Sequence, residues 1–235
     1  MNETKPLLIQ GLETFALDSA KADQLLTFAQ LLLEKNQVMN LTAITDPVDV
    51  VQLHLLDCAA VLTKAELKGK TVVDVGTGAG FPGMPLQILE PGAKLTLLDS
   101  LQKRIGFLQE VCDALGLTQT CCVHARAEEY AREHREQFDF ATSRAVAALN
   151  TLCELALPMV KVGGAFLAMK SVDCDEELRQ AKSAIAQLGG TVESVQDYTI
   201  PGTDVRHRLV IIRKIKPTPP AFPRAFARIK KNPLV

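Results

Sequence analysis

Residues 73–83 read VDVGTGAGFPG, a strand-like run that passes directly into a glycine-rich turn. A β-rich stretch, TVVDV, leads into the turn and a helical pattern follows it, so the order is strand, glycine turn, helix. Glycines let a backbone approach a bound molecule closely, and this order of elements is typical of nucleotide-cofactor loops. We therefore predict a cofactor site here, with a purely structural turn as the alternative.

Two cofactors compete for this loop. Read from Gly78, GAGFPG fits the G-x-G-x-x-G pattern of a dinucleotide site, whereas the string from Asp74, DVGTGAG, fits the loop of an S-adenosylmethionine-dependent methyltransferase. Asp74 suits a cationic amino-acid ligand and would repel a pyrophosphate, and Pro82 lacks the N–H that a phosphate needs. Asp99, which ends the run KLTLLD, can accept the ribose hydroxyls of either cofactor. The balance favours S-adenosylmethionine.

From Lys70 onward, short β-rich runs alternate with helical stretches. The strand candidates are TVVDV, KLTLLD, TCCVHA, FDFATS, GGAFLAMK and HRLVIIRKI, and the clearest helices are LQKRIGFLQEVCDALG and CDEELRQAKSAIAQLGG. This alternation predicts an α/β fold, with a parallel sheet covered by helices on both faces.

Two further segments flank this α/β region. Residues 21–35 and 47–65 have apolar residues at helical spacing, the second opening with Pro47 behind a capping Asp46. After Lys216 the run PTPPAFPR interrupts regular structure, which predicts an extended, peripheral tail. We expect a helical extension over residues 1–66, a cofactor domain over 67–216 and a basic, proline-rich tail over 217–235.

The predicted strand ends bring several polar residues to one rim. In an open parallel sheet, ligands bind beyond the carboxyl ends of the strands. Taken singly, each of these residues is as well explained by capping or salt bridging. Together they predict a pocket with acidic groups near the cofactor and cations near the substrate, a distribution that suits an anionic substrate. The residues are Asp74, Gly76, Asp99, Arg126, Ala127, Glu128, Ser143, Arg144 and Lys170.

The net charge of −1 hides a strong asymmetry. Residues 205–235 carry +9, with no Asp or Glu, and the rest of the chain carries −10. Such a basic segment indicates a polyanionic partner, because phosphates release counterions when cations bind them. A solvated tail without a partner is the alternative.

Other classes of site and location are disfavoured. No window has the roughly 18 uncharged apolar residues of a membrane span, and charged residues interrupt the N-terminus where a secretory signal would be apolar. We therefore expect a cytoplasmic protein that does not enter a membrane. Six cysteines show no zinc-like spacing, so no metal is expected.

VDVGTGAGFPGMPLQI, LLDSLQKRIGFLQ, RAEEY, TSRAVAAL and FLAMKS, preceded by NLTAI and LHLLDC, resemble a known family. It is the bacterial 16S rRNA (guanine-N7)-methyltransferase G family, also called glucose-inhibited division protein B. The resemblance runs from about residue 31 to the C-terminal PRAFARIKKNPL. It implies a Rossmann-like class I methyltransferase fold, a seven-stranded sheet whose last strand is antiparallel, and an N-terminal helical extension.

The resemblance also assigns residues. Cofactor contacts are implied for Gly76, Phe81, Ala127, Glu128 and Arg144. Gly78 of the loop and Asp99, at the end of KLTLLD, are the other two predicted cofactor residues. Arg126 and Lys170 match basic family positions and, with Arg208, are expected to contact guanine or RNA. His54 and Asp57, three residues apart, match the family pattern but also suit packing or capping.

The sequence departs from the family pattern at two places. Lys35 stands where family members often carry Trp, and the tail reads PRAFARIKK, without the glycine that is common after the PR. The first departure weakens any assignment on the N-terminal surface, and the second leaves the binding geometry of the tail open.

The implied reaction methylates nitrogen 7 of a guanine, position 527, in the 530 loop of 16S rRNA. That nitrogen carries a lone pair and no proton, so no catalytic base is required and none is assigned. The expected partner is 16S rRNA or the small ribosomal subunit, bound by a monomer. The residues alone leave open an NAD-dependent oxidoreductase using GAGFPG, a noncatalytic RNA-binding protein, and a methyltransferase acting on another RNA or a small molecule.

Overall fold

A computed structural model describes residues 1–144 and 146–234. Its central sheet has seven strands in the order β3-β2-β1-β4-β5-β7-β6. β7 runs antiparallel to β5 and to β6, and the pairs among β1 to β5 are parallel. The strands are β1 (Thr71–Val75), β2 (Lys94–Asp99), β3 (Thr120–His124), β4 (Phe138–Arg144), β5 (Val160–Ser171), β6 (Gly190–Thr199) and β7 (Arg206–Lys214). The predicted α/β fold with an antiparallel last strand is confirmed.

The α-helices lie before, between and after these strands. In chain order they are α1 (Lys5–Thr14), α2 (Ala22–Met39), α3 (Pro47–Asp49), α4 (Asp57–Ala59), α5 (Gly83–Leu89), α6 (Gln102–Leu115), α7 (Ala127–Glu133), α8 (Leu149–Ala156), α9 (Asp175–Gln187) and α10 (Phe226–Lys231). Between α3 and α4 the chain continues as a π-helical stretch, Val50–Leu56.

All six strand candidates are present, but the sequence pattern misses β6. A strand with one face in the core and the other in solvent normally shows apolar residues at every second position. In β6 the register shifts between Val192 and Ser194, so the next apolar residue, Val195, falls three positions after Val192. The irregularity removes the alternation by which a strand is recognised.

The helical extension packs into the same core as the sheet. Leu12 and Phe28 are fully buried in a cluster that also contains Leu97 of β2 and Leu167 of β5. A second cluster on the other face joins the sheet to α7, α8, α9 and α10. The N-terminal extension is confirmed, and it completes one layer of the fold.

The predicted start of the helical segment at residue 47 is confirmed. The Asp46 carboxylate accepts the backbone N–H groups of Val48 and Asp49 at 2.9 and 3.2 Å, which caps the helix. The segment that follows carries His54 and Asp57 towards the sheet, where both are buried.

The tail is not simply extended, because it ends in α10. Ile229 is fully buried among residues of α8 and α9, and the fully buried Glu154 accepts Arg224 Nε and Nη2 at 2.8 and 2.6 Å. Arg135 also donates to the Phe222 carbonyl at 2.5 Å. Burial of Ile229, the ion pair of Arg224 and the hydrogen bond from Arg135 therefore fix the tail against the rest of the fold.

Most of the basic segment is neutralised within the fold. Five of its nine cations form ion pairs: Arg206, Arg208, Arg213, Lys214 and Arg224. In the part of the chain that the structure describes, the other four carry no ion pair and are exposed: Lys216, Arg228, Lys230 and Lys231. The charge available to a partner is thus concentrated on α10.

Among the described residues, none of the helices combines the length and the apolar composition that crossing a bilayer requires.

We predict that Arg224→Ala lowers the free energy of unfolding by about 3 kcal/mol, because it leaves the Glu154 carboxylate buried without its cation. Arg228→Ala, an exposed change on the same tail, should alter it by less than about 0.5 kcal/mol. Urea unfolding followed by circular dichroism measures both. Equal stabilities of the two variants would show that the tail is not held by this pair.

Candidate functional site

The glycine-rich loop connects β1 to α5, and most of its backbone N–H groups are bonded within the protein. Gly76 and Thr77 donate to the Leu98 carbonyl at 2.8 and 3.0 Å, and Gly80 and Phe81 donate to the Thr77 carbonyl at 2.9 and 3.0 Å. Gly78 N–H donates to Asp99 Oδ2 at 2.9 Å. A pyrophosphate needs free N–H donors, so this loop is poorly suited to a dinucleotide.

The Asp74 side chain is hydrogen-bonded to the glycine loop and to the start of α5. Its Oδ2 accepts the Thr77 hydroxyl at 2.6 Å and the Gly83 N–H, at the start of α5, at 2.9 Å. The residue is fully buried and does not line the neighbouring cavity, so the expectation that it faces a cationic ligand is wrong. Burial raises the pKa of Asp74 to about 6. Its carboxyl group occupies the position at the helix start where a phosphate would bind.

Two glycines are required by the shape of the loop. Gly76 has φ of +71°, and a Cβ there would lie 2.8 Å from Val146 Cγ2. At Gly83 a Cβ would lie 2.8 Å from Asp74 Oδ2 and would overlap Leu97 Cδ2. Larger side chains would therefore push the loop away from β2 and from the segment after β4.

A cavity of about 590 Å³ opens above the loop at the carboxyl ends of β1 to β4. Its lining joins apolar side chains such as Val75 and Leu98 to the carboxylates of Asp99 and Glu128. Glu128 Oε1 accepts Arg126 Nε at 2.7 Å. Phe226 of α10 also lines the cavity, with the Arg126 guanidinium 4.8 Å from its ring centre. The tail thus supplies one wall of the site.

Phe81 lies at the centre of an aromatic and cationic stack. The His54 ring stacks on it with centroids 4.3 Å apart, and the Arg144 guanidinium carbon lies 4.8 Å from its centre. Phe28 of α2 packs at 5.4 Å. The helical extension therefore fixes the position of a loop residue that lines the cavity.

Arg144, at the end of β4, ties the sheet to the helical extension. Its Nη1 donates to Asp57 Oδ2 at 2.9 Å and to the Leu53 carbonyl at 3.0 Å, and its Nη2 lies 2.9 Å from His54 Nδ1. A guanidinium can only donate, so His54 Nδ1 must accept and His54 Nε2 carries the hydrogen. That hydrogen is directed to the Thr42 hydroxyl, 2.8 Å away.

This arrangement keeps His54 neutral. Burial and the charge of Arg144 lower the pKa of His54 to about 4. The ring therefore adds no positive charge to the site at neutral pH.

Asp57 accepts from two further donors besides Arg144. Its Oδ1 accepts the Tyr198 hydroxyl at 2.8 Å and His207 Nδ1 at 2.7 Å. Burial alone would raise the pKa of Asp57, but the hydrogen bond from His207 and the charge of Arg144 lower it below its usual value. The hydrogen bond to Asp57 in turn raises the pKa of His207. Tyr198 and His207 lie on the strand that the sequence missed and on its neighbour, and no motif marked them.

A second cavity of about 500 Å³ adjoins the first. Arg144 and His54 line both cavities, so they form a wall that the two share. Lys170, at the end of β5, lines the second cavity while its Nζ donates to the Ala147 carbonyl at 2.9 Å and to Glu177 Oε1 at 2.6 Å.

Comparison with known proteins identifies the family. A family model described as rRNA small subunit methyltransferase G matches residues 21–207. The ribosomal RNA small subunit methyltransferase G of Alkaliphilus metalliredigens is 47% identical over 99% of both chains, and that of Clostridium perfringens strain 13 is 48% identical over 91% of each. This chain belongs to the rRNA small subunit methyltransferase G family. The resemblance inferred from the motifs is confirmed.

Solved structures agree with the methyltransferase G assignment at the level of the fold. TrmN from Thermus thermophilus superposes with a TM-score of 0.53 at 21% identity, covering 68% of this chain and 48% of that one. TYW2 from M. jannaschii, solved in complex with AdoMet, gives a TM-score of 0.53 at 14% identity, covering 65% and 72%. The fold is that of class I methyltransferases, and the chain is a methyltransferase.

The structure brings together most of the residues assigned from the sequence. Arg126 lines the first cavity with all seven predicted cofactor residues, which are Gly76, Gly78, Phe81, Asp99, Ala127, Glu128 and Arg144. Lys170 lines the second cavity, whereas Arg208 lines neither and pairs with Asp175 and Asp197. For this methyltransferase G family member, their contacts with cofactor or substrate stay predictions.

Gly83→Ala should lower the free energy of unfolding by about 1–3 kcal/mol, because the added methyl overlaps Leu97 and crowds Asp74. It should also weaken cofactor binding, measured by isothermal titration. Gly106→Ala is the matched control, since a Cβ there meets nothing within 4 Å. A Gly83→Ala protein as stable as the control would contradict the close approach.

The low pKa of His54 makes stability depend on pH. Between pH 6.5 and about 4 the unfolded chain binds a proton at His54 more readily than the folded protein does. The contribution of His54 to the free energy of unfolding therefore falls as the pH falls through this window. Compared with His54→Gln, the unaltered protein should lose roughly 3 kcal/mol of its free energy of unfolding between these two pH values. Asp74, whose raised pKa acts with the opposite sign, is present in both proteins. A histidine NMR titration giving His54 a midpoint near 6.5 would refute the prediction.

Proposed function

We propose that this protein transfers a methyl group from S-adenosylmethionine to nitrogen 7 of a guanine in the 530 loop of 16S rRNA. The names of its relatives supply small-subunit rRNA as the substrate class. The observation that carries the proposal is a pair of neighbouring cavities, one above the glycine loop and one beside it, that share Arg144 and His54 in their walls.

The first cavity suits S-adenosylmethionine. A volume of about 590 Å³ falls in the range of cofactor pockets. The carboxylates of Asp99 and Glu128 can accept hydroxyl or ammonium donors. Most of the loop N–H groups are bonded internally, and a ligand without phosphate does not need them. Gly76 leaves room beside Val146 that any side chain would fill. When bound, S-adenosylmethionine supplies a methyl group on a positively charged sulfur.

The protein's part in the reaction is to position the substrate. Guanine N7 has a lone pair and no proton, so proton transfer by a side chain is not required. Well-oriented reactants gain several kcal/mol from proximity, and Phe81, His54 and Arg144 form the rigid wall at the junction of the cavities. Because His54 is neutral, it does not repel the positive charge that develops on the purine during methyl transfer.

The RNA is bound mainly through its phosphates. The guanidinium groups of Arg104 and Arg126 line the first cavity with side chains 37% and 47% exposed. The unpaired cations of α10 extend this basic surface, because Phe226 of the same helix lines the cavity. Phosphate contacts of this kind position a loop, and the target base must then leave its stack to enter the site. A ribosomal substrate locates this activity in the cytoplasm.

The proposal is tested on small subunits from cells that lack this protein. Incubation with the purified chain and S-adenosylmethionine should yield N7-methylguanine in the 530 loop, detected by mass mapping of 16S rRNA. Equilibrium binding should favour S-adenosylmethionine over NAD. Methylation at another base or atom, or preferential binding of NAD, would overturn it.

Within this scheme Lys170→Ala should reduce kcat/KM at least about tenfold, because a charge-assisted hydrogen bond contributes about 1.5–3 kcal/mol. Lys182→Ala, an exposed change on α9, serves as the control and should leave the rate unchanged. Unaltered methylation by Lys170→Ala would remove Lys170 from the substrate site.

A further inference from the structure

The second cavity combines the surfaces that a flat, polar-edged base requires. The ends of β4 and β5, the start of β7 and the helical extension all contribute to it. Its apolar lining residues are Ile44, Leu53, Met169 and Val205, and its polar ones include Asp57, Lys170 and His207. Because donor and acceptor must meet in near contact, a base in this cavity would present its reactive atom towards Arg144 and His54.

His207 presents an available nitrogen in this cavity. Its Nδ1 is bonded to Asp57 Oδ1 at 2.7 Å, and Asp57 is 1% exposed. The two nitrogens of an imidazole lie on opposite sides of the ring, so Nε2 points away from Asp57. Among the described residues Nε2 has no hydrogen-bond partner, and the side chain is 32% exposed.

Asp57 accepts from Nδ1, so Nε2 is a donor in the form of the ring that carries hydrogen on both nitrogens. The hydrogen bond to Asp57 raises the pKa of His207, which favours that form. The other cations of the cavity are each held by several protein acceptors. Lys170 places two of its three N–H groups on Ala147 and Glu177, and Arg144 places three of its five on Leu53, His54 and Asp57. His207 differs from them in being held at one nitrogen only, which leaves Nε2 without a partner among the described residues.

Guanine has the complementary edge. Its N7 and O6 are neighbouring acceptors, whereas adenine has a donor amino group in place of O6. With N7 directed to the first cavity, O6 requires a donor beside it. A donor at this point would bind guanine and reject adenine.

We propose that the second cavity holds the target guanine base and that His207 donates from Nε2 to its O6. The inference rests on the proposed function and adds the residue that reads the base. Asp57 is a positioning residue that orients the His207 ring, and Tyr198 supports it through its 2.8 Å hydrogen bond to the same carboxylate oxygen.

The test uses small subunits reconstituted with 16S rRNA that carries guanosine, 2-aminopurine riboside or inosine at the target position. 2-Aminopurine lacks O6, and inosine keeps O6 but lacks the 2-amino group. Single-turnover methylation and subunit affinity are both measured, so a base that binds without reacting is still informative.

His207→Ala should lower the rate or affinity about tenfold on guanosine and inosine, and less than about twofold on 2-aminopurine, whose O6 is already absent. His207→Gln, which keeps an amide donor, should recover most of the loss. Tyr198→Phe should show a smaller loss that is again confined to the bases with O6. Binding of S-adenosylmethionine should be unchanged in all three variants.

Equal losses on all three bases would overturn the inference, as would a His207→Ala protein with full activity on guanosine. Failure of the unaltered protein to methylate N7 of the guanosine subunits would instead count against the proposed function. The two failures are therefore separate outcomes.

Discussion

The ion pair between Arg144 and Asp57 connects the parts of this protein that form its site. Arg144 ends β4, Asp57 begins α4 of the helical extension, and the second oxygen of Asp57 reaches β6 and β7 through Tyr198 and His207. With Asp57 1% exposed and the Arg144 side chain 15% exposed, neither charge can be left without the other. The pair also positions Arg144 over Phe81, so the shapes of both cavities depend on it.

The glycine loop gains its shape from bonds within the protein. Asp74, Asp99 and backbone carbonyls accept its N–H groups, which leaves the loop rigid before any ligand arrives. Such a loop can present its surface to a cofactor, but it cannot surround a pyrophosphate with donors. The string GAGFPG therefore matches a dinucleotide pattern in letters and differs from it in hydrogen bonding.

Most charges of the basic C-terminal segment are neutralised by ion pairs in the folded protein. The basic C-terminal segment and the acidic body pair with each other when folded, most deeply at Arg224 and Glu154. Among the described residues, the cations of this segment that stay unpaired are four, and three of them lie on α10. These three cations lie on the same helix as Phe226, which lines the first cavity.

The sequence by itself determined the alternation of strands and helices, the glycine loop, and the strand-end residues that line the first cavity, because these depend on local periodicity and on the topology of parallel sheets. It did not reveal β6, whose register shift removes the alternation of apolar residues. Nor did it reveal that Asp74 is buried and bonded to Thr77 and Gly83. Only the tertiary structure brought Asp57, Tyr198 and His207 together. Tyr198 and His207 lie 141 and 150 positions from Asp57 along the chain. Contacts at such separations are decided by the packing of whole elements, which no local pattern records.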